Sequence, residues 1–137
     1  MINSLLQNST DGKKRLVSTL VVSRPGVMRQ SLRATLGAYP FVWVVATAGD
    51  GLTALNYTLQ HQPDLLVIDS NLLPEEVEAL LVAAKARMPA PRCLVCVQNQ
   101  RDEARLQAAG ADEIILRDSW AQQWQETLLR VTKKPAV

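Results

Sequence analysis

The chain has 137 residues, 47% of them hydrophobic, and a formal net charge of +2 at pH 7. This length supports one domain with a substantial core and excludes two ordinary ones, while the small charge gives little support to nucleic-acid binding. No run approaches the roughly 18 to 20 apolar residues that a transmembrane helix needs, and the amino end is polar from Gln7 to Lys14, so we expect a cytoplasmic protein without a membrane partner.

Short apolar runs rich in β-branched residues alternate with longer segments of helical period. The runs predict strands at Leu16 to Val22, Val42 to Ala46, Leu65 to Ile68, Arg92 to Val97 and Ile114 to Leu116. Helices are predicted after Pro25-Gly26, at Leu52 to Gln60, from Pro74 onward, at Arg101 to Ala109 and from Ser119 to about Val131. This alternation predicts an α/β fold in which a doubly wound, five-stranded, mainly parallel sheet carries helices on both faces. We assign residues 15–132 to the domain, with a flexible tail at residues 1–14 and a tail or linker start at residues 133–137.

Apolar residues at helical spacing predict which side of each helix faces the sheet. The predicted inward residues are Met28, Leu32 and Leu36, then Leu52, Leu55 and Leu59, then Val77, Leu80, Leu81 and Ala84, and in the last helix Trp120, Trp124, Leu128 and Val131. The two tryptophans leave two interpretations open, because they suit either the core or a surface that contacts a partner.

Few residues could serve as metal ligands or nucleophiles. Cys93 and Cys96 form a C-x-x-C string, but residues three apart in a strand point to opposite faces, so we interpret both as small core hydrophobes. A zinc site would need more cysteine or histidine than the distant His61 can add. Since His61 is the only histidine and is expected on the solvent face of the second helix, no credible catalytic triad can be built and we expect no enzyme.

Asp69 is the polar residue whose position says most about function. It closes the apolar run Leu65 to Ile68. A carboxylate at the carboxyl end of a buried parallel strand lies where open α/β sheets bind ligands. Its expected neighbours in the cleft are Ser23 and Arg24, after the first strand, and Arg117, after the fifth.

Four segments carry a resemblance to a known family. They are Thr19 to Val22 followed by Met28-Arg29 and Leu32, Val45 to Leu55, Pro63 to Asp69, and Ala109 to Asp112. In this order and spacing the chain resembles the receiver domain of response regulators, nearest the subclass that precedes LuxR-type helix-turn-helix domains. The resemblance runs from about Leu16 to Val131 and implies a flavodoxin-like sheet with strand order 2-1-3-4-5. It also implies that Asp69 is the phosphoacceptor and that the backbone carbonyl of Asn71 helps to hold magnesium.

The chain departs from the family pattern at most of the other active positions. Ser23 and Arg24 stand where two acidic residues are expected, and Arg117 stands in place of a lysine. Ile114 replaces the aromatic switch residue, which implies that the usual coupling between phosphorylation and the neighbouring face is absent. The threonine or serine that ends the fourth strand has no clear match, and its candidates are Cys96, Val97 and Gln98.

Charge counting indicates what these departures do. One carboxylate, Asp69, faces two guanidinium groups, so the cleft carries about one positive charge before any metal enters. We therefore expect Mg²⁺ binding to be weak or absent, with no other cofactor. Our hypothesis is that Arg24 pairs with Asp69 through two parallel hydrogen bonds, the alternative being that Arg24 points into solvent. The same surplus of charge suggests that Arg24 and Arg117 could accept a phosphate or sulfate ion.

The leading interpretation is an atypical receiver, or pseudo-receiver, that acts in two-component phosphorelay signalling through protein-protein interaction. Its partners would be an output domain, another regulator or a histidine kinase, and the chain could also form a homodimer. The residues expected on the interaction face are Ile114, Trp120 and Trp124. The alternative is a phosphoacceptor receiver whose Asp69 is phosphorylated by a histidine kinase. A small nucleotide- or flavin-binding protein is a remote third, because Pro25 removes a donor from the loop that would hold phosphate. Regulation of transcription would need a DNA-binding domain beyond Val137.

Overall fold

The computed structural model describes residues 16–133 and contains five strands and five helices in strict alternation. In chain order they are β1 (Val17–Val22), α1 (Val27–Gly37), β2 (Val42–Ala48), α2 (Gly51–His61), β3 (Leu65–Asp69), α3 (Pro74–Lys85), β4 (Arg92–Val97), α4 (Glu103–Ala109), β5 (Glu113–Leu116) and α5 (Ala121–Thr132). The predicted tail at residues 1–14 lies outside the described residues, as do positions 134–137 of the second tail, so both remain predictions. Across residues 16–133, no helix combines the length and the apolar character that crossing a membrane requires.

The strands form one parallel sheet in the order β2-β1-β3-β4-β5, which confirms the expected fold. β3 lies at its centre and is buried at every position, because helices cover both of its faces. In the register of the sheet, Asp69 at the carboxyl end of β3 lies beside Cys96 of β4. The carboxyl ends of β1, β3, β4 and β5 therefore meet around Asp69.

The core has two halves, one on each face of the sheet. One half packs α2, α3 and α4 against the sheet and includes Cys93, whereas the other packs α1 and α5 and includes Cys96. Both cysteines are free and buried. The two cysteines thus point to opposite faces, as the spacing within one strand predicted. The inward stripe of α3 is also as predicted, with Val77, Leu80, Leu81 and Ala84 all buried.

The predicted inward face of α2 is wrong at two of its three members. Its buried residues are Ala54 and Thr58, whereas Leu52 and Leu59 are 71% and 43% exposed. Leu55, the third predicted member, is half-buried and packs against the core as predicted. The face of α2 that meets the sheet therefore runs through Ala54, Leu55 and Thr58.

The predicted stripe of α5 is wrong only at its first member. Trp120 is the N-cap residue, which precedes the first helical turn, and its side chain is 80% exposed. Trp124, Leu128 and Val131 are buried as predicted, and Thr127 completes the inward face. The two tryptophans therefore divide between surface and core.

Candidate functional site

Asp69 is held by two different side chains at the carboxyl end of β3. Its carboxylate is fully buried, and its two oxygens have separate partners. Arg117 Nη2 donates a hydrogen bond to Asp69 Oδ1 over 2.7 Å, and Ser23 Oγ donates to Asp69 Oδ2 over 3.3 Å. Both oxygens are thus engaged by residues of the chain itself.

Arg117 reaches Asp69 because its backbone continues the edge of the sheet. It follows the last residue of β5, and its backbone N–H donates to the carbonyl of Val97 over 2.8 Å. The side chain is only 25% exposed, and Nη2 also lies 3.4 Å from Ser70 Oγ. Nε is buried and, among the residues that the structure describes, has no hydrogen-bond partner. The guanidinium therefore contacts Asp69 through one nitrogen, in a strong but single charge-assisted hydrogen bond.

Arg24 does not make the ion pair that the sequence suggested. Its Nε donates to the backbone carbonyl of Asn71 over 2.9 Å, and its backbone N–H donates to Asn71 Oδ1 over 3.3 Å. Arg24 is exposed, in line with the alternative that it points into solvent, but its side chain is also tied to the β3–α3 loop. The reason is positional, since buried Ser23 occupies the side of Asp69 that faces β1.

Ser23 is the centre of a second set of contacts. Asn71 Nδ2 donates to Ser23 Oγ over 3.2 Å, which links the β1–α1 loop to the loop after Asp69. The carbonyl of Ser23 accepts two hydrogen bonds from Arg29, over 3.0 Å from Nε and 2.8 Å from Nη2. Sequence reasoning missed this role of Arg29, although its place in the first turn of α1 puts it beside the loop. It likewise missed the hydroxyl of Ser70.

The surroundings of Asp69 are rich in positive charge and poor in side chains that could bind a metal. Arg117 contacts the carboxylate directly, while Arg24 and Arg29 bind backbone carbonyls of the two adjoining loops. Within the described part of the chain, no group of three or more histidine, cysteine, aspartate or glutamate residues is placed to hold a metal ion. A cavity of about 30 Å³ beside the pair, lined in part by Asp69 and Arg117, has room for about one water molecule.

The fourth strand supplies a buried thiol to this cleft. Cys96 lies opposite Asp69, and burial together with the charge of Asp69 raises its pKa above the usual range for a cysteine. Burial likewise raises the pKa of Cys93 to about 12. Both are therefore neutral thiols at physiological pH, which matches their interpretation as core residues. Of the other two candidates for the end of this strand, Val97 is buried and Gln98 is exposed.

The predicted interaction face is only partly at the surface. Ile114 is half-buried and packs against the core on the α3 and α4 side of the sheet. Trp120 is exposed at the start of α5, whereas Trp124 is 5% exposed and belongs to the opposite half of the core. Of these two tryptophans, Trp120 is thus the one available for contact with a partner.

The fold has close counterparts among solved structures. The signal receiver domain of the response regulator NarL from Mycobacterium tuberculosis superposes with a TM-score of 0.77 at 22% identity, covering 88% of this chain and 99% of that one. The fold is that of a response-regulator receiver domain. A LuxR-family DNA-binding response regulator from Staphylococcus aureus gives a TM-score of 0.76 at 14% identity, with 86% and 100% of the two chains covered. No family model matches the sequence of this chain.

Curated relatives are similar in sequence over most of the receiver domain. The DNA-binding transcriptional activator DevR/DosR of Mycobacterium tuberculosis is 33% identical over 105 residues, which are 75% of this chain and 48% of that protein. A protein-glutamate methylesterase/protein-glutamine glutaminase of Symbiobacterium thermophilum is 31% identical over 113 residues, or 80% and 31% of the two chains. The chain thus spans less than half the length of these relatives.

Proposed function

We propose that this receiver domain is atypical and acts by protein-protein interaction, with little or no metal-dependent phosphorylation of Asp69. The observation that supports this most is how the chain's own side chains occupy the cleft. Arg117 and Ser23 take the two oxygens of Asp69, and the Arg24 guanidinium takes the carbonyl of Asn71. By the resemblance, that carbonyl would otherwise be a ligand of magnesium.

The charges in the cleft also disfavour magnesium. Mg²⁺ demands near-octahedral oxygen ligands and is usually bound through carboxylates, whereas Ser23 and Arg24 offer a hydroxyl and a guanidinium in place of two acids. The described residues therefore fit a bound cation poorly. Phosphoryl transfer depends largely on a metal and fixed positive groups that stabilise the moving charge. Without the metal, Arg117 alone supplies that stabilisation. Its hydrogen bond to Asp69 also competes with the attack of the Asp69 carboxylate on the phosphoryl group.

The second candidate is a receiver whose Asp69 accepts a phosphoryl group from a histidine kinase. It is favoured by the position of Asp69 at the end of β3 and by the cationic Arg117 beside it. The same two residues serve both proposals, so a direct test of metal binding and phosphorylation separates them.

Signalling without phosphorylation requires a surface that binds a partner. Trp120 is the exposed aromatic residue at the start of α5, and aromatic side chains are enriched where proteins bind one another. We propose that this end of α5 contacts an output domain, another regulator or a second copy of the chain. Our proposal gives the domain no catalytic activity of its own and places it in the cytoplasm, as part of a two-component regulator.

The test is a magnesium titration followed by NMR, comparing the natural protein with Arg24→Asp. The substitution is on an exposed side chain and restores a carboxylate where the family has one. We expect no saturable shift at Asp69 or Asn71 in the natural protein and a saturable one in the variant. Chemical shifts of Asp69 or Asn71 in the natural protein that saturate at millimolar or lower Mg²⁺ concentrations would contradict the proposal.

A further inference from the structure

A second concave site lies at the opposite end of the sheet from Asp69. It is a groove of about 640 Å³, which we call the basal groove, bounded by the start of β1, the end of α2, the α3–β4 connection and the end of α5. Its apolar walls include Leu16, Met88 and Pro89, of which Leu16 is 51% and Met88 92% exposed. Ligand sites commonly have volumes of about 300 to 1,000 Å³ and mostly apolar walls. The basal groove therefore has the size and lining of a site for a small molecule.

The charges of the basal groove are predominantly positive. Arg87, Arg92 and Lys133 line it, and Asp64 is the one carboxylate among its lining residues. Asp64 is already engaged, because its Oδ2 accepts hydrogen bonds from the backbone N–H and the hydroxyl of Ser18 over 3.0 and 3.1 Å.

The three cations have no carboxylate partner among residues 16–133. Ion pairs between the described residues lie elsewhere, at Lys85–Asp112, Arg105–Glu78, Arg105–Asp102, Arg117–Asp69 and Arg130–Glu113. Arg92 is held in place, since its Nε donates to the carbonyl of Val131 over 3.2 Å. A fixed guanidinium beside apolar walls favours a ligand that has both a negative group and an apolar body.

We infer that the basal groove binds a small amphipathic organic anion, with a carboxylate or similar head and an aliphatic or aromatic body. The head pairs with Arg87 and Arg92, and the body covers Leu16 and Met88. Since the groove joins β1 to the last turn of α5, a ligand there stabilises the folded arrangement of these elements. The basal groove and the cavity beside Asp69 lie at opposite ends of the sheet and share no lining residue.

The test uses octanoate as the probe and octyltrimethylammonium as the matched control, which has the same chain length and the opposite charge. In ¹H–¹⁵N NMR titrations at constant ionic strength, octanoate should give saturable shifts at Val17, Gln62 and Met88. Arg87→Gln should weaken its apparent Kd by roughly three- to tenfold, because one partly solvated charge contact is lost. Arg101→Gln, an exposed arginine at the other end of the sheet, should leave the Kd unchanged.

Shifts that do not saturate, an equal response to octyltrimethylammonium, or an unchanged Kd in Arg87→Gln would each overturn the inference. Shifts centred on Asp69 instead would mean that the anion binds the other cleft, which also overturns it. None of these outcomes bears on magnesium or phosphorylation, so the proposed function can fail or hold independently.

Discussion

Replacing Arg117 with glutamine removes the cationic partner of a fully buried carboxylate. Loss of one member of a buried ion pair costs about 3 to 5 kcal/mol. Arg117 is 25% exposed, so water can partly replace it, and Ser23 still donates to the other oxygen of Asp69. We therefore expect Arg117→Gln to lower the free energy of unfolding by about 2 to 3 kcal/mol. With an m-value of about 2 kcal/mol/M, the urea midpoint should fall by about 1 to 1.5 M.

The matched control is Arg24→Gln, which removes the other guanidinium of the cleft. Arg24 is exposed, and among residues 16–133 its side chain binds only the carbonyl of Asn71, so the loss should stay below about 1 kcal/mol. A double-mutant cycle with Asp69→Asn should show a coupling of about 1 to 3 kcal/mol between Asp69 and Arg117. An Arg24→Gln variant that is destabilised as much as Arg117→Gln, or a cycle without coupling, would show that Arg117 does not stabilise Asp69 in this way.

Three further predictions concern stability and reactivity. Trp124→Ala should lower the free energy of unfolding by about 3 to 5 kcal/mol, whereas Trp120→Ala should change it by less than about 0.5 kcal/mol, as chemical denaturation will show. Cys93 and Cys96 should resist a thiol reagent in the native protein and react at once in urea, because burial in the fold raises the pKa of both thiols. Fast labelling of either cysteine in the native protein would show that the core opens readily. Gly110→Ala should lower the free energy of unfolding, measured in urea, by about 1 to 3 kcal/mol. The reason is that φ is +126° at Gly110 and an added Cβ would lie 2.6 Å from the side chain of Lys85 on α3. An unchanged urea midpoint would contradict this.

The fold could be predicted from the sequence because its signals are local and agree with one another. The uninterrupted apolar run of β3 indicated a central strand, and the C-x-x-C spacing indicated opposite faces for the two cysteines. The inward stripe of α3 followed from helical period alone. The rotation of α2 could not be predicted in this way, because its buried residues, Ala54 and Thr58, are less hydrophobic than the exposed Leu52 and Leu59.

The members of the candidate site could be predicted, but not their partners. The sequence placed Asp69, Ser23, Arg24 and Arg117 at strand ends that meet in one cleft. Which arginine binds the carboxylate depends on the direction of each loop, since Arg24 is drawn to Asn71 while Arg117 continues the line of β5. The basal groove gave no signal in the sequence, because its walls come from four separate segments that only the folded chain brings together.

The central claim is that Asp69 is not phosphorylated in the metal-dependent way of the family. The most direct measurement is intact-protein mass spectrometry after incubation with acetyl phosphate and Mg²⁺, with Asp69→Asn as the control for site. Our account predicts no phosphoryl adduct in the natural protein, because Arg117, Ser23 and Arg24 occupy the groups that a metal and a phosphoryl donor would use. A stoichiometric adduct that is absent from Asp69→Asn would contradict it.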